Sequence, residues 1–380
     1  MGKILFLSNN VPPQKNSVAF VIKNIFSKFP PDSLVIFTRF NCSKDKKLPF
    51  KYYYTSFVRA HYFTTLKDFF VECFGVIPIF LKGMNIIKKE NITSILVSSD
   101  SSNFLFSAYL LSIMSKRKLN IYFFDCFSCA QSKGIKFFFN KITEKIVIKR
   151  ADKIFCMSDT LKELYDSKYN VNSEIVNHPV AISEYEYIAK YKKECDSQKN
   201  IKILYTGMIY EAQIDAIKNL VEAIQDINGV ELHIYSKRTE ESLKKLNIIK
   251  KNVFYHGEAD YEKMPQIQKN ADVLFLPLAF RSPYPEIIKT ASPSKMPEYL
   301  CTEVPILVHA PRNSYLARYA KKEGFALVVD EDNILKLKQS LEHLIADKKL
   351  QEELILNAKK TSKKHDVNLI TKQMIGALGL

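Results

Sequence analysis

No stretch of the chain offers the roughly 20 consecutive apolar residues that a membrane-spanning helix needs. The longest, Phe69 to Leu81 (FFVECFGVIPIFL), is broken by Glu72 and by a proline. Nor does Met1 open a separate apolar segment with a small-residue cleavage site. MGKILFLSNN runs straight into a short strand, so no secretory signal is expected. The seven cysteines are odd in number and share no repeated spacing, which excludes a disulfide framework and predicts reduced thiols on the cytoplasmic side. Cys126 and Cys129 form a lone CxxC without a second pair, too little for a zinc site. Paired aspartates and histidine clusters are missing too, so neither metal nor cofactor is expected. What the chain does carry is charge of one sign. Lys and Arg number 56 against 40 Asp and Glu, a formal +16, which calls for an anionic partner: a membrane surface, a nucleic acid or a phosphorylated substrate. Lysines dot every segment, so part of that excess belongs to composition alone.

At 380 residues, 47% hydrophobic and 25% charged, the chain is long enough for two folded domains. Short apolar runs alternate with stretches of helical period. The first half holds KILFLSN (from Lys3), LVIFT (Leu34), SILVSS (Ser94), NIYFFD (Asn120), KIFCMS (Lys153) and EIV (Glu174); the second holds IKILYTG (Ile201), VELHIYS (Val230), NVFYHG (Asn252), DVLFLPL (Asp272), PILVHA (Pro305) and FALVVD (Phe325). Continuous apolar strands between helices mean parallel sheets covered on both faces, six strands in each half. The first crossover helices are legible in Val18, Val21, Ile22, Ile25 and Phe26, and in Ile214, Ile217, Leu220, Val221 and Ile224. The fold class is therefore α/β, with two doubly wound domains. Residues 1–183 form the first, the polar stretch 184–200 is the linker, 201–362 form the second, and 363–380 make a terminal helix. Ligands of such sheets bind at the carboxyl ends of the strands where strand order reverses, and two facing domains would share a cleft.

The segment SPSKMPEYLCTEVPILVHAP, from Ser292 to Pro311, carries the most chemistry. Pro297 is tolerated only in the first helical positions, so a helix starts between Ser292 and Met296. Free amides, the Ser292 and Ser294 hydroxyls and Lys295 then gather at a positive helix end suited to phosphate. Glu298 follows on the same face, where it would suit a ribose hydroxyl. The plain alternative is a capped helix with a surface ion pair.

With ADKIFCMSDTLKELY and VNHPV closing the first half, and ILYTG, NVFYHG, ADVLFLPL, this segment and KKHDVNLITKQMIGAL in the second, the chain resembles the GT-B glycosyltransferases. It is most similar to the retaining group 1, family 4 type that builds bacterial polysaccharides. The likeness covers nearly the whole length and is most specific from Ala271 to Pro311. It implies two Rossmann-like domains around a central cleft and a nucleotide-sugar donor held by the second domain. Lys295 and Ser294 would meet the diphosphate, Glu298 the ribose and Gly207 the donor by close backbone approach; Ser236, Lys237 and Arg238 would line the nucleotide. The terminal helix would cross back onto the first domain.

Several positions depart from the family. Its sugar-contacting glutamate, eight residues before the ribose one, is Thr290 here, with Glu286 the nearest substitute. The usual glycine-rich first loop is PPQKNS, leaving Lys15, Asn16 or Ser17 to reach the diphosphate by side chains. The family's arginine after the opening glycine is Met208, and Glu303 replaces a helix-ending glycine, although glutamate tolerates the left-handed conformation poorly.

Transfer through an oxocarbenium-like state needs positive charge at the leaving diphosphate, which lysines and helix amides supply without a metal. If configuration is retained, the departing phosphate takes the acceptor proton. If it is inverted, a first-domain base is required, and Asp125 at the end of NIYFFD is the first candidate, Asp100 the second. A helix N-cap is the ordinary role for either, and His178 and His365 read as structural. The acceptor would be a glycan or a lipid-linked glycan. KDKKLPFKYYYTSFVRAHYF (Lys44 to Phe63) and SKGIKFFFNKITEKIVIKR (Ser132 to Arg150) mix basic and aromatic residues. In the second, Ile135, Phe138, Phe139, Ile142 and Ile146 share one side. Such a helix either lies on an anionic membrane, making the protein peripheral at the inner face, or faces a core. Rival readings are a catalytically silent GT-B subunit and a nucleotide-sugar epimerase. Nucleic acid is not expected as a partner, because no recognition motif is present.

Overall fold

The computed structural model describes residues 2–14, 16–39, 48–55, 66–130, 135–189 and 200–380. Two compact units emerge, Met1–Pro179 with Val367–Leu380, and Val180–Asp366. In the first, strands β1 (Ile4–Leu7), β2 (Leu34–Thr38), β3 (Lys51–Tyr54), β4 (Ser94–Ser98), β5 (Lys118–Phe123), β6 (Lys153–Cys156) and β7 (Glu174–Ile175) alternate with helices α1 (Ser17–Phe26), α2 (Leu66–Lys89), α3 (Ser102–Ser115), α4 (Ile135–Arg150) and α5 (Asp159–Tyr169). In the second, the strands are β8 (Ile201–Thr206), β9 (Val230–Tyr235), β10 (Val253–Tyr255), β11 (Val273–Pro277), β12 (Ile306–His309) and β13 (Ala326–Val329).

Both sheets are parallel, in the orders β3-β2-β1-β4-β5-β6-β7 and β10-β9-β8-β11-β12-β13. Each grows outward from its first strand in both directions, so strand order reverses between β1 and β4 and again between β8 and β11. The central strands are buried along their whole length because helices cover both faces. In the first unit Leu5, Leu7, Val35 and Phe37 pack under α2 to α5. Ile4, Phe6 and Ile36 pack on the other face with α1 and with Ile370 and Met374 of the terminal helix Val367–Leu378. The Thr371 hydroxyl of that helix donates to the Ile25 carbonyl at 3.3 Å.

Two expectations need correction. The first sheet has seven strands, not six, because β3 (KYYY) is a half-exposed edge strand whose lysine and tyrosines form no apolar run. The stretch read as a polar linker opens with the helix Ile182–Ala189, which belongs to the second unit: Tyr185 is buried and its hydroxyl lies 3.3 Å from Gln268 Oε1. Residues 190–199 of that stretch lie outside the described residues, as do 44–47 and 56–63 of the first basic-aromatic segment and 132–134 of the second.

Glu90, buried just beyond α2, ties three elements together. Its carboxylate accepts from Lys51 Nζ at 2.6 Å and the Tyr53 hydroxyl at 2.5 Å, both on β3, and from Lys3 Nζ at 3.3 Å beside β1. The hydrogen bond from Lys51 comes first, then that from Tyr53, in holding its carboxyl down at about 2 rather than 4.5, against a burial that raises it. A depressed carboxyl stabilises the fold above its unfolded value and loses that contribution as pH falls towards 2. The shift corresponds to about 3 kcal/mol, which the solvent-exposed Lys51 partner reduces to about 1–2 kcal/mol. Glu90→Gln should therefore lower stability by that amount at neutral pH and flatten the acid limb between pH 4.5 and 2. Urea titrations across pH that superimpose for the two proteins would contradict this.

Candidate functional site

The second sheet's switch point is built by one tyrosine. β8 ends at Thr206, whose N–H donates to the buried Tyr299 hydroxyl at 3.0 Å and whose Oγ1 lies 3.1 Å from the same oxygen. Tyr299 belongs to the helix Lys295–Leu300, where Pro297 occupies the third position, as its missing amide hydrogen requires. Gly207 follows Thr206 at φ +132°, and a Cβ there would lie 3.5 Å from Lys295 Cε and 3.7 Å from the Tyr205 hydroxyl. The lysine stem thus lies across the glycine. Lys295 Nζ sits 3.3 and 3.4 Å from the two Glu298 oxygens, and Gln268 Nε2 donates to Glu298 Oε2 at 2.9 Å. Glu298 is only 2% exposed.

The structure therefore brings Gly207, Lys295 and Glu298 together, but the helix end contributes less than expected. It has six residues, and Ser294 precedes it without a side-chain cap. The Ser292 Oγ is buried and has no hydrogen-bond partner among the described residues. An unsatisfied hydroxyl at the threshold of that helix leaves a polar position open for a ligand oxygen.

Ser236, Lys237 and Arg238 do follow β9, yet they divide their work. Ser236 is buried, its N–H donating to the Gly257 carbonyl at 2.8 Å. Arg238 is a brace: Nη1 donates to the Ile209 carbonyl at 2.8 Å and Nε to Ser242 Oγ at 2.9 Å, fixing the loop after Gly207. Lys237 pairs with Glu258 at 3.2 Å on the surface. Thr290 is buried and its hydroxyl donates to the Glu286 carbonyl at 2.8 Å, turned into its own helix Pro285–Thr290. Glu286 is exposed, 3.9 Å from Lys289. Glu303 does adopt the left-handed conformation, φ 58°, with Lys269 at 3.4 Å and Lys359 at 3.6 Å. Tyr299 and Gln268 had no sequence signal of their own, the first hidden inside a quoted motif and the second thirty residues from its partner.

In the first unit, Lys15 lies outside the described residues. Asn16 caps α1, its Oδ1 accepting from the Ala19 N–H at 2.9 Å while its Nδ2 donates to Asn10 Oδ1 at 3.0 Å. Ser17 is the exposed first residue of α1. Asp100 pins the loop after β1 to the end of β4: it accepts from Asn10 N at 2.7 Å, Asn10 Nδ2 and Ser8 Oγ at 3.0 Å, Asn9 N at 3.3 Å and Ser98 Oγ at 2.8 Å. That is a structural knot rather than a free base. Asp125, after β5, has an exposed side chain and no hydrogen-bond or ion-pair partner among the described residues. Desolvation by the protein around the carboxyl pushes it from 3.8 up to about 7. Beside it the reduced-thiol expectation is corrected. Cys126 and Cys129 are joined as a disulfide, their Cα atoms 5.3 Å apart, while Cys156 and Cys301 are free. Among the described residues no group of three His, Cys, Asp or Glu is placed to hold a metal ion.

Gly207→Ala should cost about 1–2 kcal/mol from backbone strain alone and should displace the Lys295 stem. An alanine variant with the wild-type melting midpoint and unchanged nucleotide affinity would refute the assignment of that glycine.

The family described as "Glycosyl transferases group 1" matches residues 189–361. A relative in Methanocaldococcus jannaschii, an uncharacterized glycosyltransferase, is 26% identical over 151 residues, covering 37% of this chain and 38% of that protein. The alignment thus spans little more than a third of the curated relative's length. Among solved structures, Anabaena HepE in complex with UDP superposes with TM-score 0.72 at 12% identity over 99% of both chains. A glycosyltransferase from Rickettsia africae gives 0.69 at 14% identity over 99% of this chain and 97% of that one. The likeness bears out the expected GT-B fold of two parallel-sheet α/β domains.

Proposed function

We propose that this chain, whose second unit belongs to the glycosyl transferases of group 1, transfers a sugar from a nucleotide-sugar donor to a hydroxyl of a glycan or lipid-linked acceptor. The setting would be cell-surface polysaccharide assembly. The observation that carries this reading is Lys295 laid over Gly207, with Glu298 beside it, at the carboxyl end of β8. A nucleoside diphosphate needs a cation that can sit against backbone, and a glycine is the one residue whose backbone leaves that approach open. In transfer, the bond from the sugar's anomeric carbon to the diphosphate oxygen breaks and a bond to the acceptor oxygen forms. Negative charge grows on the leaving diphosphate, where the Lys295 ammonium stabilises it more in the transition state than in the ground state. Lysine supplies that charge in this reading and no metal is invoked. Glu298 would take ribose hydroxyls, its second oxygen already fixed by Gln268.

UDP, which HepE holds, is the first nucleotide to test. Lys295→Gln keeps a hydrogen-bonding group beside the buried Glu298 while removing the charge. Calorimetry should show UDP binding weakened by about 1.5–3 kcal/mol, the worth of a charge-assisted hydrogen bond, and donor turnover should fall with it. Equal affinity in both proteins would end this reading.

Asp125 fits a base that draws the acceptor proton, being an exposed residue without a hydrogen-bond or ion-pair partner among the described residues and poised near neutrality. A raised carboxyl is protonated below its own value. kcat/KM should therefore climb as pH rises through about 7 and level off above it, while Asp125→Asn should lose roughly 10²–10⁴-fold and the pH step together. A variant that retains both the rate and the step would remove Asp125 from the chemistry.

One observation favours a silent subunit as the second reading: Thr290, at the family's sugar-contacting position, is turned into its own helix. Incubation with a panel of labelled nucleotide sugars separates the two, since a silent module binds nucleotide without releasing nucleoside diphosphate.

A further inference from the structure

Helices α2, α3 and α4 pack side by side over one face of the first sheet. Their inner sides hold Ile79, Ile86, Phe104, Leu111 and Val147, all buried. A helical layer facing water would be polar on its outer side. Here Phe74 (59% exposed), Ile77 and Leu81 (62%) recur at helical spacing on α2, Ile113 and Met114 (64%) close α3, and Ile135, Phe138 (65%) and Ile142 recur on α4. Phe106 of α3 and Phe139 of α4 bridge the helices, ring centroids 6.2 Å apart. The sequence left α4 either membrane-facing or core-facing; the helix packs Ile146, Val147 and Ile148 on the core while Ile135, Phe138 and Ile142 are exposed.

The exposed charge described on and directly after α3 and on α4 is positive. Lys116 and Arg117 follow α3, and Lys141, Lys145 and Lys149 line α4, all exposed. None of them forms an ion pair with a described residue. Glu144 is the one carboxylate among the described side chains of the three helices. It is buried, accepting from Ser128 Oγ at 2.9 Å, Lys168 Nζ at 2.7 Å and the Tyr169 hydroxyl at 2.6 Å, and faces away from the cationic side. Exposed apolar side chains on three helices packed side by side, accompanied by cations with no ion-pair partner among the described residues, have the chemistry of an interfacial helix layer.

We propose that the outer face of α2 to α4 docks the protein on an anionic phospholipid bilayer, its apolar side chains entering the headgroup boundary and its lysines meeting lipid phosphates. A second copy of the chain is the poorer occupant, since two such faces would set lysine against lysine. The proposal stands independently of the transferase reading.

The test is co-sedimentation of the full chain with vesicles of phosphatidylcholine and phosphatidylglycerol, against vesicles of phosphatidylcholine alone. Binding is expected on the anionic vesicles only and should fall as salt is raised. Phe138→Ser with Ile142→Ser should weaken it by about tenfold or more, while Lys141→Glu with Lys145→Glu should remove the salt dependence. Both double variants change exposed residues only, and UDP affinity measured on them reports whether the second unit stands or falls separately. Equal binding to both vesicle types, no binding to either, or a dimer in light scattering that Phe138→Ser dissolves would each overturn the proposal.

Discussion

The candidate site depends on the hydroxyl of Tyr299. Buried between the last residue of β8 and the helix Lys295–Leu300, it meets both the amide and the hydroxyl of Thr206. Those two contacts fix the helix along and around the strand end, and so decide which residue lies over Gly207. A phenol is suited to this because its ring fills core space while its polar end reaches a backbone group that the sheet has left unpaired. Arg238 acts on the opposite side of the same loop, holding the Ile209 carbonyl so that the backbone beyond Gly207 cannot drift. The glycine is thus framed from both sides before any ligand arrives, and that is how a site avoids reorganisation at the moment of reaction.

The state of Glu298 adds a second constraint. A carboxylate 2% exposed, with one amide and one ammonium as partners, sits in a low-dielectric setting where each partner matters. Lys295 then faces two anions in turn, Glu298 in the free protein and a diphosphate in the proposed complex. The ammonium, a compact point charge with three donors, can serve both without the fixed fork that an arginine would impose. The Ser292 hydroxyl, buried without a hydrogen-bond partner among the described residues, is costly in the free protein, and a ligand oxygen in the proposed complex would remove that cost.

The strands were legible in the sequence because parallel sheets covered on both faces demand continuous apolar runs. LVIFT became β2 without a change of boundary, NIYFFD became β5 shifted two residues towards the N-terminus, and every other run shortened by one to three residues at its ends. The strand that escaped, β3, is an edge strand whose tyrosines are half solvent and half core. At the site, Gly207, Lys295 and Glu298 were legible as types in a pattern, and Glu303 was read correctly as strained. The partners were not. Gln268 on Glu298, Ile209 on Arg238 and the inward hydroxyl of Thr290 are set by rotamers and by packing between segments far apart in the chain, which no local pattern encodes. Asp125 and Asp100 make the point most sharply. Both follow a strand and look alike in sequence, yet one is bound by five hydrogen bonds and the other by none among the described residues.

Net charge was the loudest feature of the sequence, and by itself it does not locate a partner. In the second unit, exposed lysines meet carboxylates of their own: Lys237 with Glu258, Lys250 with Glu222, Lys336 with Glu331. Pairs of that kind contribute little to stability, but they cancel the field that a distant anion would feel. Lys141, Lys145 and Lys149 of α4, with Lys116 and Arg117 after α3, form no ion pair with a described residue, and Glu144 is sealed by Tyr165, Tyr169 and Lys168; Arg150, at the end of α4, does pair with Asp152. On this layer, cations without an ion-pair partner among the described residues stand beside exposed apolar side chains. Charge alone would attract many polyanions and apolar surface alone many proteins. The two combined on one helical layer select a partner that is anionic at its surface and apolar just below it, and an anionic bilayer has both properties in that order.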